Sequence, residues 1–311
     1  MAGGIARKRL CLIDGHGQLY RSFYAIQGLT RSDGHPTHGT FGFFRVLFKT
    51  LKILQPTHLA IAFDPSGPTF REDLFKDYKA DRPVMPDSLR IQLSDTIGIL
   101  SRFRVPILQL ERFEADDCLA TAARWAQEKD WDAVVVTSDK DMLQLVNDHI
   151  MVYNPIKGIP LRTQDVVNYM GVEPSKIADL LALCGDTTDG IPGVPGIGPK
   201  TAVKLLDKYG TVEDIFHVIQ RGCQLDSALK KAASIGERLL QWKELTLLKD
   251  DVDIDLDENR MMLGRSSPSE ISSIFREFEM NSLIEESICL FCHSDLHKEE
   301  ASLSYREKWD G

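Results

Sequence analysis

Three carboxylates fall within four residues at Glu114-Ala115-Asp116-Asp117, between an apolar run at 105–108 and a segment with Leu119, Ala122, Ala123 and Ala126 at helical spacing. Such acids can serve as caps, because carboxylates in a first helical turn accept from free backbone N–H groups and suit the positive end of the helix dipole. Three exceed what a cap needs. Glu114 and Asp117, three residues apart, also share a helix face on which like charges repel. A divalent cation turns that repulsion into ligation, and Mg²⁺ and Mn²⁺ prefer such hard oxygen donors. The chemistry then depends on whether other acids gather at equivalent places.

They do. The apolar run 10–13 stops at Asp14, the run 58–63 stops at Asp64, and the run 133–137 stops at Ser138-Asp139-Lys140-Asp141. Asp186 and Asp189 in the Gly185-Asp186-Thr187-Thr188-Asp189-Gly190 loop bring the set to nine with Glu114, Asp116 and Asp117. Each alone is an ordinary turn or cap residue. Nine on one edge cannot all stay ionised without cations, and two metals about 3.5–4 Å apart in a carboxylate cage drive in-line attack on a phosphodiester. His16, His35, His38 and His58 lack the spacing of a catalytic triad or a zinc site.

The elements that must hold these acids are set by the pattern between them. Short apolar strands at 10–13, 58–63, 105–108, 133–137 and 150–153 alternate with helical stretches at 19–26, 40–54, 89–103 and 118–128. This predicts an α/β class fold with a mostly parallel central sheet and helices on both faces, in which ligands bind beyond the carboxyl ends of the strands. Residues 65–88 break the alternation: they are polar, aromatic and basic, carry Arg71, Lys76, Tyr78, Lys79 and Arg82, and read as a long functional loop. From 163 onward the pattern is helical, with stretches at 166–170, 177–184, 201–209, one long helix at 227–249, and short ones at 269–278 and 281–286. The expected organisation is an α/β core over 1–162, a helical region over 163–286 and a weakly ordered tail over 287–311. Gly193-Val194-Pro195-Gly196-Ile197-Gly198-Pro199-Lys200 reads as a hairpin between two helices, whose glycines let backbone approach a phosphate while Lys200 and Lys204 add charge.

Composition bounds these readings. The chain of 311 residues carries a net charge of −9, which argues at first against nucleic acid, but 250–258 alone holds six acids and the candidate site nine more. With the latter neutralised by metal, basic stripes remain free to meet phosphate. Six scattered cysteines imply reduced thiols. The apolar run after the basic N-terminus is interrupted at Asp14, so neither a signal peptide nor a membrane span is expected. A soluble, intracellular protein is the expectation. Cys289 and Cys292 with His293 and His297 offer zinc ligands, but no second pair stands at ribbon or finger spacing, and the cluster is read as incidental.

The motifs LIDGHGQLYRSFYAI, AFDPSGPTFRED, YKADRP, EADD, TSDKDMLQL and GDTTDGIPGVPGIGPKTA resemble those of the 5′-nuclease family, specifically the 5′→3′ exonuclease domain of bacterial DNA polymerase I, related to flap endonucleases. The resemblance runs from about residue 10 to 286. It implies a PIN-like fold, an arch over the active site at about 65–88, a helix-hairpin-helix at about 177–209, and hydrolysis of DNA with a free or flapped 5′ end in replication and repair. It implies two or more Mg²⁺ or Mn²⁺ ions on the nine acids, Arg21 beside the scissile phosphate, and catalytic roles for Lys79 and Arg82 in the arch. Arg71, Tyr78, Gly193, Gly196, Gly198, Lys200 and Lys204 are implied as DNA contacts, with K⁺ at the hairpin carbonyls. A monomer in the bacterial cytoplasm, at the nucleoid, is expected. Gly190 departs from the family, whose members commonly carry Asn there, and a looser turn is expected. The other functions weighed are a non-catalytic DNA-binding module on the same fold, against which all nine acids speak, and an endoribonuclease, whose chains are shorter and lack hairpin and arch.

Overall fold

A computed structural model describes residues 7–221 and 226–292. The chain forms β1 (Arg9–Asp14), α1 (Gly15–Ala25), α2 (His38–Leu54), β2 (His58–Ala62), α3 (Phe70–Leu74), α4 (Asp87–Arg102), β3 (Ile107–Leu108), α5 (Ala115–Glu128), β4 (Asp132–Val136), β5 (Ile150–Asn154) and β6 (Ile159–Leu161). Then come α6 (Thr163–Met170), α7 (Ile177–Cys184), α8 (Pro199–Tyr209), α9 (Val212–Gln220), α10 (Ser227–Ile235), α11 (Arg238–Thr246), α12 (Glu258–Met261), α13 (Pro268–Glu277) and α14 (Ile284–Phe291).

The strands lie in one sheet in the order β3-β2-β1-β4-β5-β6, parallel except for β6, which runs antiparallel to β5. Side-chain alternation splits the apolar strands cleanly. Leu10, Leu12, Ala133 and Val135 face a core built with α5, α7 and α8, whereas Cys11, Ile13, Val134 and Val136 face one built with α2, α4 and α13. Both faces being covered explains why the strands read as unbroken apolar runs. The order reverses direction at β1, between β2 and β4. That is the switch point beyond whose strand ends α/β sheets open a crevice.

The expected α/β class and parallel sheet are therefore present, with differences in detail. The predicted helix at 227–249 is two, α10 and α11, broken at Gly236, whose φ of +63° a helix cannot contain. β6 and α9 went unread. Residues 65–88 hold the short helix α3, closed by a Thr69–Glu72 capping box, rather than a continuous loop. Residues 287–291, expected to belong to the tail, instead close α14, with Ser287, Leu290 and Phe291 buried. Residues 293–311, the rest of the expected tail, with His293 and His297, lie outside the described residues. The final helices return to the α/β half, where Phe275 packs on Phe44, Phe48 and Phe103, and Phe291 on Phe48 and Phe103.

Candidate active site

Each strand of the central group ends on an acid, and the turn or helix after the strand fixes that acid's direction. Asp14 caps α1, accepting from Gly17 N at 2.8 Å through Oδ1, and takes Thr137 Oγ1 at 3.0 Å on Oδ2, so β1 and β4 share one polar contact. Asp64, after β2, accepts from Ala115 N at 2.8 Å, at the start of α5. Beyond β4, Asp139 takes the amide of Asp141 at 2.9 Å and gives its own amide to Thr137 Oγ1 at 3.0 Å. In the loop after α7, Asp186 exchanges both backbone hydrogen bonds with Ile191, each 2.8 Å, which closes a tight turn and aims Asp186 and Asp189 back at the sheet edge.

The electrostatics show which acids converge. Burial, then the charges of Asp139 and Asp14, pushes Asp116 well above the ordinary carboxylate range. Burial, then Asp139 and Asp186, does the same to Asp141. Asp14 is raised by burial and by Asp64. Asp139 keeps an exposed edge, yet desolvation by the surrounding protein, and after it the charges of Asp189 and Asp14, raise it too. Asp141 Oδ1 is buried without a hydrogen-bond partner. A crowded set of hard oxygen donors that resist ionisation fits divalent cations such as Mg²⁺ or Mn²⁺. Among the described residues no three acids already close around one point. Cations of the chain hold them apart instead: Lys79 Nζ lies 2.5 Å from Glu114 and 3.7 Å from Asp189, Arg82 Nη2 2.9 Å from Asp189, and Lys140 Nζ 3.1 Å from Asp186. Arg21 reaches the same rim through Ser138 Oγ, 2.5 Å away.

Five sequence expectations require correction. Asp117 is completely buried away from the edge, where Arg71 binds it through two nitrogens at 2.6 and 2.8 Å and the amides of Glu114 and Lys249 donate to it at 3.1 and 2.9 Å. It is a cap and a counter-ion, because α5 turns it toward the core while Asp116 faces the edge. Arg71 cannot meet DNA, being 1% exposed, with Leu245 O, Leu247 O and Glu114 Oε2 as its other acceptors. Tyr78, 4% exposed, cannot stack on a base; its hydroxyl donates toward Glu114 and Asp189 at 3.0 and 3.2 Å. Gly193 is buried, and a Cβ there would stand 2.3 Å from Gly185 N, so it closes the turn instead of approaching a phosphate. Gly196, Gly198, Lys200 and Lys204 do lie on the surface, spread over the hairpin and α8. The turn at Gly190 is tight, not loose. Its φ is +72°, a Cβ would stand 2.7 Å from Asp77 O, and the neighbouring Asp189 O accepts from Lys79 N at 3.0 Å.

Thr137, Ser138, Lys140 and Lys231 were not read as site residues. The first three sit inside the TSDKD stretch, Thr137 and Ser138 just before Asp139 and Lys140 between Asp139 and Asp141, and that adjacency to the acids was the available signal. Lys231 of α10 donates to Gly196 O at 2.9 Å, and 35 residues of separation hid it.

Two family models match, described as "5′-3′ exonuclease, N-terminal resolvase-like domain" over residues 9–173 and "5′-3′ exonuclease, C-terminal SAM fold" over 172–269. A 5′-3′ exonuclease of Aquifex aeolicus is 37% identical over 282 residues, which is 90% of this chain and 95% of that one. The DNA polymerase I of Rhizobium leguminosarum is 36% identical over 285 residues, covering 88% of this chain but only 28% of its own length. Among solved structures, a T5 5′-exonuclease aligns with a TM-score of 0.63 at 17% identity, covering 90% of this chain and all of its own. The catalytic core of Rad2 in complex with DNA substrate aligns at 0.60 and 17%, covering 91% and 92%. The doubly wound sheet and its acid-lined edge are thus found in a chain that belongs to the 5′-3′ exonuclease family of nucleases.

Proposed function

We propose that this nuclease hydrolyses DNA phosphodiesters at 5′ ends and at the base of 5′ flaps, as primer and flap removal in replication and repair requires. It would act as a monomer in the bacterial cytoplasm, at the nucleoid. The observation that carries the reading is the convergence of Asp14 after β1, Asp116 in α5 after β3, and Asp139 and Asp141 after β4 on one edge, where burial and one another's charges raise the pKa of each. Together with Asp64, Glu114, Asp186 and Asp189 they would hold Mg²⁺ or Mn²⁺. When bound, such ions activate water and stabilise the leaving oxygen of a phosphodiester.

The chain's own residues bind and orient. Arg21, at the rim beside Ser138, meets the scissile phosphate. Lys79 and Arg82 lie on acids that the metals would claim, so loading frees both cations to take the phosphates of the 5′ strand. Gly196, Gly198, Lys200 and Lys204 grip the duplex backbone away from the chemistry. The hairpin does not fit K⁺ well, because the Lys231 ammonium already supplies positive charge at the Gly196 carbonyl. No step is assigned to potassium.

The test is cleavage of a 5′-flap DNA and of single-stranded RNA, each with Mg²⁺ and with EDTA. Metal-dependent incision of the flap DNA alone is expected. Incision of RNA in preference, or DNA binding without incision in Mg²⁺ or Mn²⁺, overturns the reading in favour of an endoribonuclease or a non-catalytic binding module respectively.

A further inference from the structure

Beside the acidic edge, where β4 and β5 end and α6 crosses, the surface sinks into a cavity of about 290 Å³. This is close to the lower size of small-molecule sites. Its floor is apolar, from Leu143 and Val152, both almost fully buried. Its wall carries Tyr169, the amides Asn154 and Asn168, the cations Lys140 and Lys157, and one acid, Asp165, whose carboxylate accepts from Arg162 N at 2.9 Å. The nucleic-acid contacts assigned to the nuclease use none of these groups. Asp139 forms the rim that the cavity shares with the acidic edge.

The wall has the makings of a nucleotide site. The Tyr169 side of α6 is open: the residue is 61% exposed, with Lys157 Nζ over its ring at 5.2 Å. An exposed ring with a lysine beside it offers a base a stacking face and a phosphate a cation. The amides present donors and acceptors to a base edge. Asn154 spends its oxygen on the amides of Ile156 and Lys157, at 3.0 and 3.1 Å, so what it can offer a base edge is its NH₂ donor. Lys140 leans on Asp186 across the rim, so a phosphate held by Lys140 would lie against the acidic edge.

We propose that this cavity holds a nucleoside monophosphate unit, base on Tyr169 and phosphate toward Lys140 and Lys157. That unit is either the cleaved strand's nucleotide next to the scissile bond or the mononucleotide released from it. The proposal rests on the nuclease reading for its DNA source, but not for the affinity of the pocket itself.

Two arms separate the sources. In the first, deoxynucleoside monophosphates are titrated into the metal-free protein and followed by calorimetry. In the second, a 5′-flap DNA with 2-aminopurine placed in turn on either side of the cleavage site is bound in Ca²⁺, and fluorescence quenching reports stacking. Quenching at one position, lost in Tyr169→Ala and kept in Tyr169→Phe, supports a strand nucleotide, with the flap KM rising roughly 5- to 100-fold in the alanine variant. Mononucleotide binding lost in Tyr169→Ala and Lys157→Ala, without a change in quenching, supports a product site. Wild-type levels of both readouts in Tyr169→Ala overturn the proposal. The ring is exposed, so the variant's fold is not at stake, and circular dichroism checks it. Failure of wild-type protein to cleave DNA would sink the nuclease reading alone, since the mononucleotide arm reads the cavity without chemistry.

Discussion

A carboxylate that the fold keeps from ionising is held there at a cost, and at Asp116 and Asp141 that cost has a predictable pH signature. Both carry a pKa raised in the folded state by burial and by neighbouring acids. The folded protein therefore holds those protons more tightly than the unfolded chain. Their contribution to stability is complete below the unfolded value of about 3.9 and is lost as pH rises from there toward the folded pKa. Asp116→Asn and Asp141→Asn should each melt like wild type near pH 4 and above it at pH 7, in metal-free protein. Adding Mg²⁺ should raise the wild-type melting temperature at pH 7 and close that gap, while either variant cleaves flap DNA orders of magnitude more slowly. Melting curves from pH 4 to 8 with and without Mg²⁺ decide it; a gap independent of pH removes the electrostatic explanation. Asp117 obeys a different logic. Arg71→Ala strands it in the core unpaired and should destabilise the fold by about 3–5 kcal/mol in urea titrations. Asp116 and Asp117 are adjacent in sequence and opposite in role. Nothing local distinguishes them, because the partner that claims Asp117 comes from 46 residues away.

The strands were legible to within a residue or two, since burial on both faces writes a continuous apolar run. β6 was not, because three exposed or half-buried residues leave no such run. The hairpin was legible as an element but not glycine by glycine. Gly193→Ala places a methyl group into Gly185 and Cys184 and should cost stability, whereas at Gly198 a Cβ meets nothing within 4 Å. Gly198→Val should therefore melt like wild type and bind duplex DNA less tightly by blocking close backbone approach. Fluorescence anisotropy beside thermal melts separates the two, and equal binding by Gly198→Val would make the hairpin merely structural. The segment 65–88 divides similarly. Its base is pinned through Arg71, Tyr78 and Lys79, while Pro83 and Val84 are exposed, Val84 at 86%. Limited proteolysis should nick first near Val84, and flap DNA should protect that site. Cutting at the same rate with and without DNA would mean that the 5′ strand does not pass there.

At the scale of the whole molecule, the boundary near 162 is crossed repeatedly. Arg71 donates to the carbonyls of Leu245 and Leu247 at the C-terminal end of α11, the amide of Val252 donates to Thr121 Oγ1 at 3.1 Å, and α13 and α14 complete the aromatic core against α2. A fragment of residues 1–162 should expose that core and behave as a compact but loosely packed species that binds hydrophobic dyes. A sharp cooperative melt from the fragment would show the α/β half to be self-sufficient. The sequence pointed to a helical half but not to this return, because Phe44 and Phe275, 231 residues apart, carry no mark of their contact.

The two borders of the sheet limit how copies of this protein can meet. β3 pairs over two residues only, and β6 is a three-residue antiparallel strand with Pro160 at its centre, a residue with no N–H to offer. Neither border can template another strand. A crowded solution of this protein, or one warmed until its helices fray, lacks the ready-made seam from which sheet-to-sheet polymers start. A contact between copies along either of these borders has to be made by side chains, one surface against another.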